Sequence, residues 1–403
     1  VISNSYFTNN HIIGGIGMLS FGVGKCKLEE CILSKNTVLN SSLITMFSTH
    51  LYLNLTIIER NFVKSTSRQA LLFAINSVCE YTNTTIRYNS SPYAPLHQFE
   101  FRSCFGFWNC TFEFNKHPET MLCDGTCEFN FTNTTISNNM GSFLTTSIRS
   151  IVSFNESAII HNYSGNRPLF YLPGSSFYIY HPCSFVENHG FSLIDTTGMK
   201  SIINISKGIF RRNKVLNYMI GVDDGSKIEL MNTKFSDNIS PSGLIYSKKS
   251  ITIISNSTFS KNRDKAIKLI KGKSYLTNVK LIDNSGIGAS SIELKSGFLS
   301  IKNSFFKGES INGHINSTGK STLKLYKIDF AGNKQYSLNS ALRTICLFCT
   351  YNAVRQTQHY WAYWVVFIVF TSILSIIVLY FVKLLICMIK KKRNRNFVNN
   401  DFL

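Results

Sequence analysis

The chain has 403 residues, and its hydrophobic content of 44% with 13% aromatics excludes a disordered polymer and supplies a long core. Its formal net charge is +20, from 42 Lys and Arg against 22 Asp and Glu. Such a balance leaves few carboxylates for acid–base catalysis, and suits anionic glycans or cell surfaces unless it is only a bias of composition.

A short pattern recurs from the first residues onward, clearest in Asn232-Thr233-Lys234-Phe235-Ser236-Asp237-Asn238 and Asn256-Ser257-Thr258-Phe259-Ser260-Lys261-Asn262. With the last asparagine as position 0, the frame falls on Asn10, Asn36, Asn61, Asn89, Asn115, Asn139, Asn162, Asn188, Asn213, Asn238, Asn262, Asn284, Glu309 and Asn333, fourteen copies spaced 22 to 28 residues apart. Position −3 is apolar throughout, from Phe7 and Leu33 to Phe306 and Phe330, and so is position −8, from Ile2 and Leu28 to Ile301 and Leu325. At position −10 only Thr252 and Ser274 interrupt the apolar run. A fixed period of this length marks a stacked repeat architecture in one elongated unit.

Each copy carries an alternating segment such as Ile228-Glu229-Leu230, the signature of a strand with one buried face. Turn residues follow the asparagine, as in Gly14-Gly15 and Ser240-Pro241-Ser242-Gly243, and then a second short apolar run such as Leu244-Ile245-Tyr246. Two or three strands per repeat describe a parallel β-helix of about fourteen coils, in which equivalent positions stack roughly 4.8 Å apart. The asparagines then form a structural ladder of side-chain amides.

Thirteen Asn-x-Ser/Thr sequons and ten cysteines ahead of the last apolar segment suit an oxidising, glycosylating compartment. Asn54, Asn130, Asn155 and Asn204 fall at outward strand positions and Asn40 and Asn316 in loops, so these six are the expected glycosylation sites. Sequons on the ladders, at Asn83, Asn109, Asn133 and Asn256 (position −6) and at Asn89, Asn162 and Asn238 (position 0), are expected to be mostly buried and bare. Cys104 and Cys127 occupy nearly equivalent places in consecutive coils, within reach of a disulfide. Cys26 and Cys79 share position −10 two coils apart and read as core.

Asp223-Asp224, between Val222 and Gly225, is the one suggestive acidic cluster. It reads as a turn between coils, or as part of a carbohydrate-active site with Asn188-His189-Gly190, whose order is the reverse of that in polygalacturonases. No phosphate-cradling loop, nucleophile constellation or cofactor motif accompanies it. Near the end of the repeats, Cys346-x-x-Cys349 admits a zinc half-site, a redox pair or a disulfide; no second pair with zinc spacing is present, which favours the disulfide.

Trp361 to Val382 is free of charge and long enough to span a bilayer, and Lys390-Lys391-Lys392-Arg393-Asn394-Arg395 follows. The basic flank places the C-terminus in the cytoplasm and the repeats outside, a type I plasma-membrane protein with one span, and nucleic acid is disfavoured as a partner because the larger basic surface is then extracellular. The expected division is a β-helix over 1–340, a juxtamembrane segment over 341–360, a transmembrane helix over 361–389 and a basic tail over 390–403. Cys387, at the inner end of the span, is a candidate for palmitoylation or a plain apolar residue. The chain begins at Val1 already inside a repeat, which suggests the C-terminal part of a longer protein.

The Phe-x-x-Asn repeat, with Gly14-Gly15-Ile16 as its best Gly-Gly partner, resembles the polymorphic membrane protein type of repeat over about residues 1–340. That resemblance implies an all-β, right-handed, pectin-lyase-like parallel β-helix, here in the single-span form found in surface proteins of protozoan parasites. For function it implies adhesion to host cells, matrix or anionic glycans, or surface display, without catalysis and without a cofactor. A carbohydrate-active ectoenzyme and a ligand-free antigenic coat are the alternatives.

Overall fold

The computed structural model describes the backbone of residues 1–64, 70–198, 200–284, 291–308, 314–331, 338–339, 343–347, 349–351 and 357–398, and the chain divides into two compact units, Val1–Asn352 and Ala353–Leu403. In the first unit most repeats contribute three main strands, and some add a short fourth directly after the asparagine, such as Thr37–Leu39 and Phe62–Lys64. For the repeat around Asn238 the three are Lys227–Met231, Lys234–Ser236 and, after the asparagine, Gly243–Lys248. Each pairs in parallel with its equivalent one coil on, so that Ile228 lies beside Thr252, Phe235 beside Phe259 and Ile245 beside Ile267. The unit is a right-handed parallel β-solenoid of about 13 turns with a long, a short and a third face. The long and short faces merge where Phe298–Lys307 and Thr322–Ala331 run through the corner unbroken.

The corners explain the repeat. At most of them one residue adopts the left-handed region and a small polar residue follows it inward, as in Asn232 (φ 53°) before Thr233, Asp237 (φ 56°) before Asn238 and Lys249 (φ 51°) before Ser250; Cys110 after Asn109 and Val279 after Asn278 take the inward place in other coils. The left-handed residue turns the chain, and Asn and Asp tolerate that conformation best after Gly. The buried polar residue satisfies backbone groups that the turn leaves unpaired.

The asparagine ladder is continuous from Asn10 to Asn284 among the described residues. Asn36 to Asn284 are buried, whereas Asn10, in the first coil, is exposed; Glu309 and Asn333 lie outside the described residues. Two further ladders, not anticipated above, run along the other corners. At position −5, Thr134 N–H donates to Ser157 Oγ and Thr233 N–H to Ser257 Oγ, each at 3.1 Å. At position −12, Ser150 N–H donates to Ser175 Oγ at 3.1 Å and Ser201 N–H to Ser226 Oγ at 3.0 Å.

Inside, apolar columns stack as the register requires. Phe185, Phe210, Phe235 and Phe259 form one stack with centroids 4.7 Å apart, and Tyr81, Phe107, Phe131 and Phe154 another at 4.6 to 4.8 Å. The frame slips in one coil. Positions −10 and −8 before Asn188 fall on Tyr178 and Tyr180, but the inward residues are Phe177 and Ile179, which pair with Val152 and Phe154. The extra residue is taken up around His181-Pro182, and Tyr180 is 52% exposed.

The solenoid continues past residue 340, because Arg343–Leu347 and Thr350–Tyr351 stack on Thr322–Ala331. In the second unit a helix spans Thr357–Val398. Its segment Ile368–Met388 has a mean hydropathy of 2.4 over 21 residues and no buried part, long and apolar enough for one membrane span.

Candidate functional site

Among the described residues, a cleft opens over the asparagine corner in the N-terminal half of the solenoid. Most coils pass from the asparagine to the third face in a few residues. In two consecutive coils the chain runs almost straight instead, as strands Lys116–Asp124 and Met140–Thr146, with a register shift between Lys116 and Glu119. Gly141 permits the close approach: at φ 112° a Cβ there would lie 1.8 Å from the His117 carbonyl oxygen. The flanking coils carry longer loops containing Pro92 and Pro168, and the cleft, of about 450 Å³, opens between them.

Phe62, Lys116, Met140 and Tyr163 occupy position +1 of their coils; Ser90 bridges Phe62 to Lys116, Lys116 pairs with Met140 and Met140 bridges to Tyr163, so that they form one outward row along the cleft. Phe62, Met140 and Tyr163 are 38%, 45% and 54% exposed, which leaves apolar faces on the surface. The polar groups nearby are engaged in scaffolding. Ser91 Oγ donates to the Ala94 carbonyl at 2.6 Å, and Ser164 Oγ to the Arg167 carbonyl at 2.8 Å. An adjoining cleft of about 250 Å³ is crossed by Arg167, whose guanidinium meets the Glu119 carboxylate at 2.6 Å.

Beneath the floor, His117 is buried and its Nε2 lies 2.9 Å from Thr120 Oγ1. Burial, and then the neighbouring His97, push its pKa down to about 3, while burial lowers that of His97 to about 4. Both imidazoles are therefore neutral at physiological pH.

The acidic pair lies elsewhere, in the turn between Tyr218–Val222 and Lys227–Met231. Asp223 Oδ1 accepts the Gly198 N–H at 2.7 Å, and Asp224 pairs with Lys249 at 3.0 Å. His189 sits at the asparagine corner beside Lys214, on a different edge of the coil, so the structure does not bring it together with Asp223 and Asp224. A second carboxylate, Asp195, was not singled out from the sequence. It is buried and accepts the Tyr218 hydroxyl at 2.8 Å and the Thr197 N–H at 3.0 Å; burial, and then Asp195, raise the Tyr218 pKa. Among the described residues no group of three or more His, Cys, Asp or Glu side chains is arranged to hold a metal ion.

The cysteines depart from expectation. Cys127 is bonded to Cys123 across Asp124-Gly125-Thr126, and Cys104 is a free, exposed thiol. The register pairs Ser103 with Cys127 and Cys104 with Glu128, so Cys104 faces out where Cys127 faces in. Cys349 is disulfide-bonded, and the side chain of Cys346 lies outside the described residues. Cys79 is a core residue beside Met46, and Cys26 packs half-buried against the core.

The sequons also sort differently from the sequence reading. Asn54, Asn130, Asn155 and Asn204 are half-buried on the outward side of strands and Asn40 is exposed, but Asn316 lies in strand Ile315–Thr318 instead of a loop. Asn89, Asn162 and Asn238 are buried as expected. Asn83, Asn109, Asn133 and Asn256 are exposed, because position −6 is the left-handed corner itself and the inward ladder residue is its neighbour at −5.

No family model matches the chain, and no curated protein matches it. Among solved structures, the A-module of the mannuronan C-5 epimerase AlgE6 of Azotobacter vinelandii aligns at a TM-score of 0.37 and 10% identity, over 75% of this chain and 90% of that one. The PL6 family alginate lyase AlyGC aligns at 0.15 and 7% identity, over 87% and 95%. The likeness is one of β-solenoid outline.

Proposed function

We propose that the chain is a single-pass surface protein of type I orientation at the plasma membrane, whose solenoid serves adhesion through its outward row and clefts. The observation that carries this reading is the cleft over the asparagine corner. Its hydroxyls, and the ion pair of the adjoining cleft, hold the loops in place, and what remains for a partner is the apolar faces of Phe62, Met140 and Tyr163 beside the Lys116 ammonium. A surface of that kind adsorbs a ligand without transforming it, and a sugar ring presenting C–H groups beside a sulfate or carboxylate is the chemistry that fits.

Charge supports the same class of partner. Setting aside Lys383, the five Lys and Arg of the tail and Asp401 leaves 36 basic and 21 acidic residues. Host-cell or matrix glycans bearing anionic groups are therefore the proposed partners. The likeness of the repeat to the polymorphic membrane protein type agrees with adhesion or display. For the carbohydrate-active alternative, Asp223 and Asp224 are each held in a turn contact, and the further acid near Asp223 is Asp195, which is buried and engaged with the Tyr218 hydroxyl.

The test is adhesion of cells displaying the full chain to immobilised sulfated, carboxylated and neutral glycans. Binding to the charged glycans that weakens with salt, and falls at least fivefold with Lys116→Glu combined with Tyr163→Ala, is expected. Equal binding by mock cells would leave display as the function, and polysaccharide cleavage abolished by Asp223→Asn would establish the enzyme.

A further inference from the structure

The left-handed corner between the long and short faces carries four exposed asparagines in sequons: Asn83, Asn109, Asn133 and Asn256, with φ of 49°, 53°, 49° and 48°. Each is followed at +2 by a half-exposed, outward threonine, namely Thr85, Thr111, Thr135 and Thr258, while the residue between is buried. In this geometry the amide stands in water at a convex edge and the ladder residue beside it closes the coil.

The fate of the amide nitrogen separates Asn83 and Asn256 from the sequons at Asn54 and Asn130 and from those of the asparagine ladder. Asn83 and Asn256 accept hydrogen bonds at Oδ1, from Asn109 at 3.3 Å and Asn278 at 3.0 Å, and their own Nδ2 atoms make no contact among the described residues. Asn109 and Asn133 each donate Nδ2 to the exposed asparagine one coil back, Asn83 and Asn109 respectively. By contrast Asn54 gives its Nδ2 to Glu29 Oε1 at 3.2 Å and Asn130 to Glu128 Oε1 at 3.1 Å, on the crowded face of a sheet. Asn89, Asn162 and Asn238 are buried, and each Nδ2 donates both to a backbone carbonyl and to the next ladder asparagine.

We propose that this corner is the N-glycosylated edge of the solenoid, with Asn83 and Asn256 as its principal sites and Asn109 and Asn133 as secondary ones. The inference rests on the reading that the solenoid enters the secretory lumen. There the asparagine Nδ2 attacks the anomeric carbon of a lipid-diphosphate-linked oligosaccharide. The new C–N bond forms as the C–O bond to the diphosphate breaks, the diphosphate leaves with the bonding pair, and one amide proton passes to a base of the transferase. Transfer meets the unfolded chain, and folding then selects: a glycan at position 0 has no place in the ladder, whereas one at position −6 remains in water.

The experiment is site-resolved glycopeptide mass spectrometry of the full chain, displayed on eukaryotic cells with an added N-terminal Asn-Gly-Thr tag as a reporter of luminal entry. Majority occupancy is expected at the tag, Asn83 and Asn256, with less than a tenth at Asn89, Asn162 and Asn238. Thr85→Ala and Thr258→Ala, which touch no ladder, are each expected to remove one glycan and leave surface level unchanged. An occupied tag with Asn83 and Asn256 bare overturns the assignment alone. A bare tag overturns luminal entry and the assignment with it.

Discussion

Asn238 donates its Nδ2 to Asn262 Oδ1 at 2.9 Å, and its main-chain N–H reaches the same oxygen at 3.0 Å. The second Nδ2 proton goes back to the Phe210 carbonyl at 2.9 Å, and Oδ1 in turn receives Asn213 N–H and Nδ2 at 3.0 and 3.1 Å. One side chain thereby ties three successive coils.

Asn238→Leu keeps the volume and removes the four bonds made by the side chain, leaving only the main-chain N–H on Asn262 Oδ1. Each orphaned buried group costs roughly 1–3 kcal/mol, so the loss is on the order of 5 kcal/mol, concentrated locally because solenoid stability is a sum of neighbour terms. Hydrogen exchange is expected to show lost protection in the coils between Phe210 and Asn262 and native protection near Phe112 and Phe131. Uniform protection, or adhesion lost with protection intact, would contradict the structural role.

Much of this was legible because a stacked coil repeats its constraints. Positions −3, −8 and 0 each face the core in nearly every turn, so Phe235 and Asn238 declare themselves through their equivalents. The same logic was available for Ser150, Ser201 and Ser226 at position −12, but serine is common in turns and the column carries no apolar signal. Position −6 misled for a physical reason: Asn83 and Asn133 look like ladder residues, yet asparagine is also favoured in the left-handed region. The cleft was not legible at all. It arises from where Gly141 lets one coil press on another and where Pro92 and Pro168 lengthen their neighbours, a comparison between coils that no single repeat contains.

The buried histidines make the solenoid acid-sensitive. His97 and His314 are held near pKa 4 and His117 near 3, chiefly by burial, against about 6.5 when exposed. The unfolded chain therefore binds protons that the folded chain does not. Stability is fully present above about pH 6.5 and falls on acidification by up to about 1.4 kcal/mol per pH unit for each histidine, until the folded values are reached. His97→Phe, beside Phe99 and Phe112, is expected to shift the acid midpoint of solenoid unfolding downward, followed by fluorescence in detergent. An unchanged midpoint would show that His97 is protonated at no cost.

Cysteine reactivity follows from register. Cys104 is exposed, whereas Cys79 and Cys110 are buried, and burial pushes the Cys110 thiol up to about 11 and Cys79 higher still. Brief alkylation of the unreduced, folded protein is expected to label Cys104 and to spare Cys79, Cys110, Cys123 and Cys127. Cys104→Ser should leave the Cys123–Cys127 bond in place. A peptide map that found Cys104 joined to Cys127 would require a shift of one residue in the pairing of Ser103 with Cys127.

Gly221 has a role that its neighbours define. It lies between Asp195 and Tyr246 on the third face, and the Tyr218 ring crosses the space a side chain would fill, stacking on Tyr246 at 5.0 Å and donating to Asp195. A Cβ on Gly221 would meet that ring at 2.1 Å. Gly221→Ala must therefore expel Tyr218 and leave the buried Asp195 carboxylate with one donor fewer, for a combined cost of roughly 2–4 kcal/mol. Tyr218→Ala costs a similar amount but vacates the space, so adding Gly221→Ala to it is expected to cost little. A double-mutant cycle on thermal unfolding in detergent measures this; additive losses would mean that Gly221 acts through its backbone and not by making room for Tyr218.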